Sequence, residues 1–467
     1  MHMGESIHGY RPGGYHPVHI GDKFHNGRYT VVNKFGNGVY AVVWLVYDSE
    51  TRRHAALKIC VANREGSESR VSDETAVAQY LQQVRNQQPD GDDEGSNHVI
   101  QIFDVFTHQG PNGTHLCIVT EIVGPNLADA LSEMYIDNSP PTGIAKRIAA
   151  QIAYGLRYLH KHGIVHGDLH IGNVLLYCPT VISSFEDIEN EKIRKPCLYD
   201  PYRWAGLEPP SELSDHVPQY FVRPCLAEEY IKECFANPAS LHIKLCDFGE
   251  SFLVVPPSSD SQSKPSPNQK QFERTRIRPS HCPVEYRSPE LLFENLHSPA
   301  SDVWALANLI NFLLLRQYLF YNSELSRAHM VLKLGKFPQR WWAIWSARIK
   351  GPTSSSGSIN VSGERWDWFD ENEKWCSKRL FSRNDCEVEG SDCGNWLNLR
   401  WLWLPGIEGE AEEERAMVEK ILRKMTVYDI EQRATAAEVV ELIPDNWMRE
   451  DPREAIRWPR DDDSDEE

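Results

Sequence analysis

The chain has 467 residues, 41% apolar and 10% aromatic, enough for a sizeable core, which excludes wholesale disorder. Its 49 Lys and Arg face 67 Asp and Glu, and the net charge of −18 argues against a nucleic-acid binder and mildly favours basic partners. No apolar run approaches the roughly 18 residues that span a bilayer, residues 1–15 carry no hydrophobic signal core, and 11 scattered cysteines read as reduced thiols. A cytoplasmic or nuclear protein with no membrane and no nucleic-acid partner is therefore expected; a monomer is expected as well, though nothing in composition or charge dictates it.

Residues 1–28, rich in Gly, Pro and His, read as an N-terminal arm. Short β-rich runs follow at Tyr29–Phe35, Ala41–Tyr47, Ala55–Val61, Val99–Phe106 and Leu116–Thr120, interrupted by one helical stretch at Val71–Arg85. From Leu127 onward helices dominate, with apolar residues at 3–4 spacing in Ile144–Lys161 and Asp302–Leu315. A β-rich first quarter before a helical remainder predicts two unequal lobes with a cleft between them. Cys178–Ser240, Pro256–Gln271 and Lys350–Gly363 read as inserted or flexible material, and Asp461–Glu467 as an acidic tail. Nine of the 14 tryptophans fall between Trp341 and Trp403 and are expected to pack an insert of the larger lobe. Cys376, Cys386 and Cys393 lack the paired spacing of a zinc site, so none is expected.

Four motifs carry chemistry. Gly36-Asn37-Gly38 leads through Val39 and Tyr40 to Ala41 and Val43 between two predicted strands, where glycines let backbone amides approach phosphates; a plain β-turn is the alternative. Fifteen residues after Val43, Lys58 sits in an apolar strand and needs an anionic partner if it is buried. His166-Gly167-Asp168-Leu169-His170-Ile171-Gly172-Asn173 offers Asp168 to orient a hydroxyl and accept its proton, and Asn173 as a metal-binding amide oxygen. Asp247-Phe248-Gly249 closes a predicted strand at Leu241–Cys246, and Asp247 with Asn173 supplies the oxygen set that Mg²⁺ favours.

In this order the motifs resemble the eukaryotic protein kinase family over roughly residues 29–448. Ser288-Pro289-Glu290, Ser301–Leu306 and Arg433 agree with it. Within that family the chain is most similar to SR-protein-specific serine/threonine kinases of fungal type, through Gly13–Val18, Gly27-Arg28-Tyr29, Val43-Trp44-Leu45, Asn112–His115 and Glu285–Ser288. The resemblance implies an α+β, two-lobed protein kinase fold with a β-rich N-lobe at about 29–121 and a helical C-lobe at about 124–448. It also implies a spacer insert at about 178–240; composition adds a C-lobe insert at about 320–410 and an acidic tail at 449–467. The implied activity is transfer of the γ-phosphate of ATP, with Mg²⁺, to serine or threonine hydroxyls of protein substrates, including basic or Arg/Ser-rich ones. Lys58, Asp168 and Asn173 would be catalytic. Gly36, Asn37, Gly38, Ala41, Val43, Lys58, Thr120, Glu121 and Val123 would hold the nucleotide, with Thr120 behind the adenine. Asn173 and Asp247 would hold the metal.

Asn173 and Asp247 lie 74 residues apart where about 15 suffice, which agrees with the spacer of that subfamily. Several positions depart from the family. Gly167 replaces the arginine that clamps a phosphorylated activation loop in many kinases, and His170 replaces a lysine that touches the transferred phosphate. The helical glutamate expected to pair with Lys58 is Glu74 by residue type, whereas ungapped register puts Val77 there. The segment before Leu334-Gly335-Lys336 holds one acid, Glu324, where SR-protein kinases place several for docking. A small-molecule phosphotransferase, suggested by the His166–Asn173 wording, and a catalytically silent scaffold, suggested by His170, are the competing classes.

Overall fold

The computed structural model describes residues 5–62, 68–87, 93–135, 140–179, 195–207, 214–224, 228–236, 241–254, 276–315, 317–320, 326–350 and 408–449. The Pro256–Gln271 segment, six of the clustered tryptophans, Cys376, Cys386, Cys393, Glu324 and the acidic tail lie outside these residues. The small lobe is built from the strands β1 (Lys23–Phe24), β2 (Tyr29–Asn37), β3 (Ala41–Asp48), β4 (Arg53–Cys60), β5 (Ile102–Gly110) and β6 (Gly113–Thr120). They form one antiparallel sheet in the order β1-β2-β3-β4-β6-β5. Between β4 and β5 runs helix α1 (Glu68–Gln87), which buries Val77, Ala78 and Leu81 in one core with Leu45, Leu116 and Ile118.

The period of two along a strand sends neighbouring side chains to opposite faces. Leu57 and Ile59 therefore join the outer core with Trp44, Val42 and Val119, while Lys58 faces the other way, toward α1. Residues 5–28 cover that outer face. Ile7, Tyr10, Tyr15, Val18 and Phe24 are buried against it, and Glu5 forms an ion pair with Lys34 that is almost fully buried. The stretch read as an arm thus contributes both an edge strand and a hydrophobic layer to the small lobe. Part of the spacer joins the same core, where the short strands β9 (Leu198–Tyr199) and β10 (Phe221–Val222) pair and bury Phe221 and Val222. Asn112 in the β5–β6 turn fastens both pieces, since its Nδ2 donates to Tyr15 O (2.6 Å) and His216 O (2.9 Å).

The larger lobe is built on α3 (Thr142–Lys161), preceded by α2 (Leu127–Met134). Ile144, Ile148, Ile152, Leu156 and Leu159 repeat at helical spacing and are wholly buried, each contributing about 1.5–3 kcal/mol of burial. The helix Pro299–Leu315 packs beside α3 and buries Trp304 against Phe320. Trp341, Trp342 and Trp345 are buried as well, consistent with a packing role for the first part of the tryptophan cluster. Between the lobes, β7 (Ile164–Val165), β8 (Val174–Tyr177), β11 (His242–Leu245) and β12 (Phe252–Leu253) form two small ladders, β8 with β11 and β7 with β12. These two ladders place the His166 loop and the Asp247 turn side by side.

Candidate active site

The glycine segment is the β2–β3 turn. Gly36 faces Val43 and Asn37 faces Val42 across the ladder, and Gly38 N–H closes the turn on Ala41 O at 2.8 Å. A side chain at Gly36 would meet nothing within 4 Å, so the space beside the turn is open to a ligand. Val43 stands directly opposite Lys58 on β4, which brings the segment and the lysine into one surface.

Lys58 Nζ donates to Glu74 Oε1 at 3.0 Å and to Asp247 Oδ1 at 2.9 Å. The helical partner is therefore Glu74, which reaches the lysine, whereas Val77 lies wholly in the core. Burial works against the ammonium, yet the Asp247 and Glu74 carboxylates outweigh it and raise the Lys58 pKa well above its ordinary value. Asp247 is correspondingly held low by Lys58. Its backbone takes the left-handed conformation, φ 63°, as the chain turns out of β11.

Asp302 frames the His166 loop. Its carboxylate accepts from His166 N–H (2.8 Å), Gly167 N–H (2.9 Å) and His160 Nε2 (2.9 Å). The His166 ring reaches across to the Asp247 turn, its Nε2 3.1 Å from Cys246 O, while Ser251 Oγ donates to His166 O at 2.7 Å. Asn173 Nδ2 donates to Asp168 O at 2.9 Å and Asp168 Oδ2 at 3.3 Å. With its NH₂ so engaged, the amide oxygen of Asn173 is turned away from Asp168 and is available to a cation. His170 Nδ1 accepts from Gly172 N–H at 3.0 Å, and its Nε2 lies 3.6 Å from Asp168 Oδ2. The oxygens of Asp247 and Asn173 thus fit Mg²⁺ by donor type.

At the end of β6, Thr120 is buried and donates from Oγ1 to Glu121 O at 3.1 Å. The Glu121 carboxylate accepts from Gln101 N–H at 2.7 Å and from Lys244 Nζ at 2.9 Å, so its side chain braces the lobe junction and does not enter the cleft. Among the described residues the backbone N–H and C=O of Val123 take part in no hydrogen bond, which leaves both for an adenine edge. The structure therefore groups Lys58, Glu74 and Asp247, groups Asp168, Asn173 and His170, and sets Thr120, Glu121 and Val123 at the junction. Sequence reading passed over Lys244 as the anchor of Glu121. A lysine alternating with apolar residues in β11 was its only signal.

A β-sheet lobe, a helical lobe, a glycine turn above a lysine–glutamate pair and an aspartate–asparagine loop between them make up a two-lobed protein kinase fold. Residues 29–182 match the protein kinase domain family. It is similar to protein kinase dsk1 of Schizosaccharomyces pombe, 42% identical over 175 residues, which is 37% of this chain and 30% of that protein. It is similar also to serine/threonine-protein kinase SKY1 of Saccharomyces cerevisiae, 38% identical over 37% of this chain and 23% of that one. SRSF protein kinase 3 of Homo sapiens is 38% identical over 36% of this chain and 28% of its own. The matched stretches span less than a third of these relatives. The family match ends at residue 182, so the place of Asp247 and of Glu290 in the fold is carried by the structure.

Proposed function

We propose that the chain is an ATP-dependent protein serine/threonine kinase. The observation that carries this reading is Lys58 held at once by Glu74 and Asp247, with Asp168 and Asn173 hydrogen-bonded to each other in the neighbouring loop. ATP would lie under the Gly36–Val43 turn, its adenine edge on the backbone of Glu121 and Val123, Thr120 behind it, and its phosphates at Lys58. Mg²⁺, held by Asp247 and Asn173, would supply electrostatic neutralisation of phosphate charge. Asp168 would orient the attacking hydroxyl and accept its proton as the bond to the γ-phosphorus forms and the bond from that phosphorus to the bridging oxygen breaks, with ADP as the leaving group. Asn173 fixes the Asp168 carboxylate for that task through its Nδ2, and Lys58 fixes the phosphates through an ammonium that its two carboxylate neighbours keep charged.

The pair Glu290–Arg433 supports a protein substrate. Arg433 Nη1 and Nη2 bind the two Glu290 oxygens at 2.6 and 2.9 Å, both side chains wholly buried, and anchor the segment Val284–Glu294 beside the catalytic loop as a platform for a peptide. Serine and threonine as acceptors, and Arg/Ser-rich proteins as a substrate class, are supported by the names of the relatives; the net charge of −18 suits basic substrates. Reduced thiols suit a cytoplasmic or nuclear location. Among the described residues no helix is long and apolar enough to cross a membrane.

The test is incubation with labelled ATP and Mg²⁺ against Arg/Ser-rich peptides, other Ser/Thr peptides, Tyr peptides and amino alcohols. Label on Ser/Thr peptides alone is expected. Transfer to amino alcohols only, or to nothing while Asp168 and Lys58 are intact, would overturn the reading.

A further inference from the structure

The tip of the glycine turn is held from outside the sheet by a residue of the N-terminal layer. Tyr15 Oη donates toward Gly38 O at 2.8 Å and Val39 O at 3.1 Å. The phenol is set in place rigidly. Its ring lies so close to Gly9 that a side chain there would clash with it, its N–H donates to Gly9 O at 2.9 Å, and its carbonyl accepts from Asn112 Nδ2. Gly14 is needed for the same bend, since a Cβ at that position would collide with Gly9 O. Burial raises the phenol pKa, so the hydroxyl stays a donor.

Peptide planarity gives this contact a consequence. In a trans peptide the carbonyl of one residue points opposite to the N–H of the next. Drawing the Gly38 and Val39 carbonyls toward Tyr15 sends the N–H groups of Val39 and Tyr40 the other way. Tyr15 packs with Leu57 and Ile59 on the outer face of the sheet, and Lys58 lies on the opposite one. Those two N–H groups therefore turn to the Lys58 side, and successive amides pointing into one space make an anion-binding concavity.

We infer that Tyr15 is a positioning residue for the phosphates of the nucleotide: it pre-orients the Val39 and Tyr40 amides by holding the carbonyls of Gly38 and Val39. The inference rests on the kinase reading above and extends it to a residue outside the cleft. Tyr15→Phe keeps the ring and its packing and removes the hydroxyl. In the full chain the dissociation constant for Mg²⁺–ATP is expected to rise about fivefold, the usual worth of a hydrogen bond to an organised loop. Adenosine, which has no phosphates, should bind within about twofold of wild type by the same reasoning. The Michaelis constant for ATP should rise with kcat nearly unchanged, and amide hydrogen exchange across residues 36–41 should accelerate. Unchanged ATP affinity would overturn the role of Tyr15, and so would an equal loss for adenosine and ATP, which marks general damage to the lobe. A wild-type chain that binds neither compound would overturn the kinase reading and this inference with it, so the two failures are told apart by the wild-type measurement.

Discussion

Replacing Glu74 with Gln isolates the charge that draws Lys58 toward helix α1. The ammonium is shared between Glu74 at 3.0 Å and Asp247 at 2.9 Å, so loss of one anion leaves it to the other. Two opposite charges about 4 Å apart attract by about 4 kcal/mol at an effective dielectric of about 20. Solvent reduces this, because 23% of the lysine side chain is exposed, and about 1.5–3 kcal/mol is the usual worth of a hydrogen bond to a charged group. Glutamine preserves shape and leaves a weak acceptor, so the fold should survive while Lys58 drifts toward Asp247 and off the phosphates. At 1.36 kcal/mol per decade, kcat/KM for ATP should fall about 10- to 100-fold. The assay is steady-state turnover at saturating peptide with ATP varied, beside a thermal melt. Val77→Ala is the control: it opens a cavity in the core and should lower the melting temperature with little effect on the Michaelis constant for ATP. A Glu74→Gln enzyme within about threefold of wild type would refute the reasoning, because the worth of the charged hydrogen bond would then be absent.

Asp168→Asn should retain ATP binding and lose about 10²–10⁴-fold in kcat, since the amide cannot take the hydroxyl proton; single-turnover phosphorylation measures it. Arg433→Met leaves the Glu290 carboxylate buried without its partner and should cost about 3–5 kcal/mol, seen as a thermal midpoint lower by roughly 6–12 °C. Burial, reinforced by neighbouring histidines, holds His16 and His98 down to about 3. The unfolded chain protonates them first, near pH 6.5, so stability should be full above about pH 7 and decline below it by about 1.4 kcal/mol per pH unit for each; a thermal midpoint unchanged from pH 7 to 5 would contradict this. Because Gly167 offers no guanidinium for a loop phosphate to pair with, phosphatase-treated enzyme made in bacteria should be active; activity that appears only after phosphorylation between Phe252 and Pro283 would contradict this.

The strands of the small lobe were legible because alternating apolar residues leave one solution for each face. Their ends were not. The run read as Val99–Phe106 begins at Ile102, since Val99 makes an isolated bridge to Leu245, and continues to Gly110 through Thr107, His108 and Gln109. Those polar residues are strand because the hairpin to β6 supplies their ladder, and pairing overrides composition. Lys58, Asp168, Asn173 and Asp247 could be found by spacing and wording. Glu74 could not be separated from Val77, because three residues along a helix return nearly to the same face. Tyr15 lies in Gly13–Val18, where the sequence gives no hint of its contact, which depends on the layer of residues 5–28 folding across the sheet.

The His166 loop shows how one departure from a family pattern is answered elsewhere in the chain. Gly167 has φ 77°, and a Cβ there would collide with Glu250 O, so an arginine cannot simply be restored at this position. The cation comes instead from Arg278, in the segment between Phe252 and Pro283. Arg278 donates to Glu250 O, and its guanidinium lies 3.6 Å from both the Glu250 carboxylate and Asp73, and over the Phe252 ring. Asp73 immediately precedes Glu74 on α1, and Glu250 follows the Asp247 turn by three residues. One largely buried side chain of the segment therefore braces the helix that carries Glu74, the Lys58 partner, and the turn that carries Asp247. The signs are inverted relative to a kinase whose loop must first acquire phosphate, because the receptors here are anions and the residue the segment brings to them is already charged. On this arrangement, docking of the segment is expected to need no phosphate.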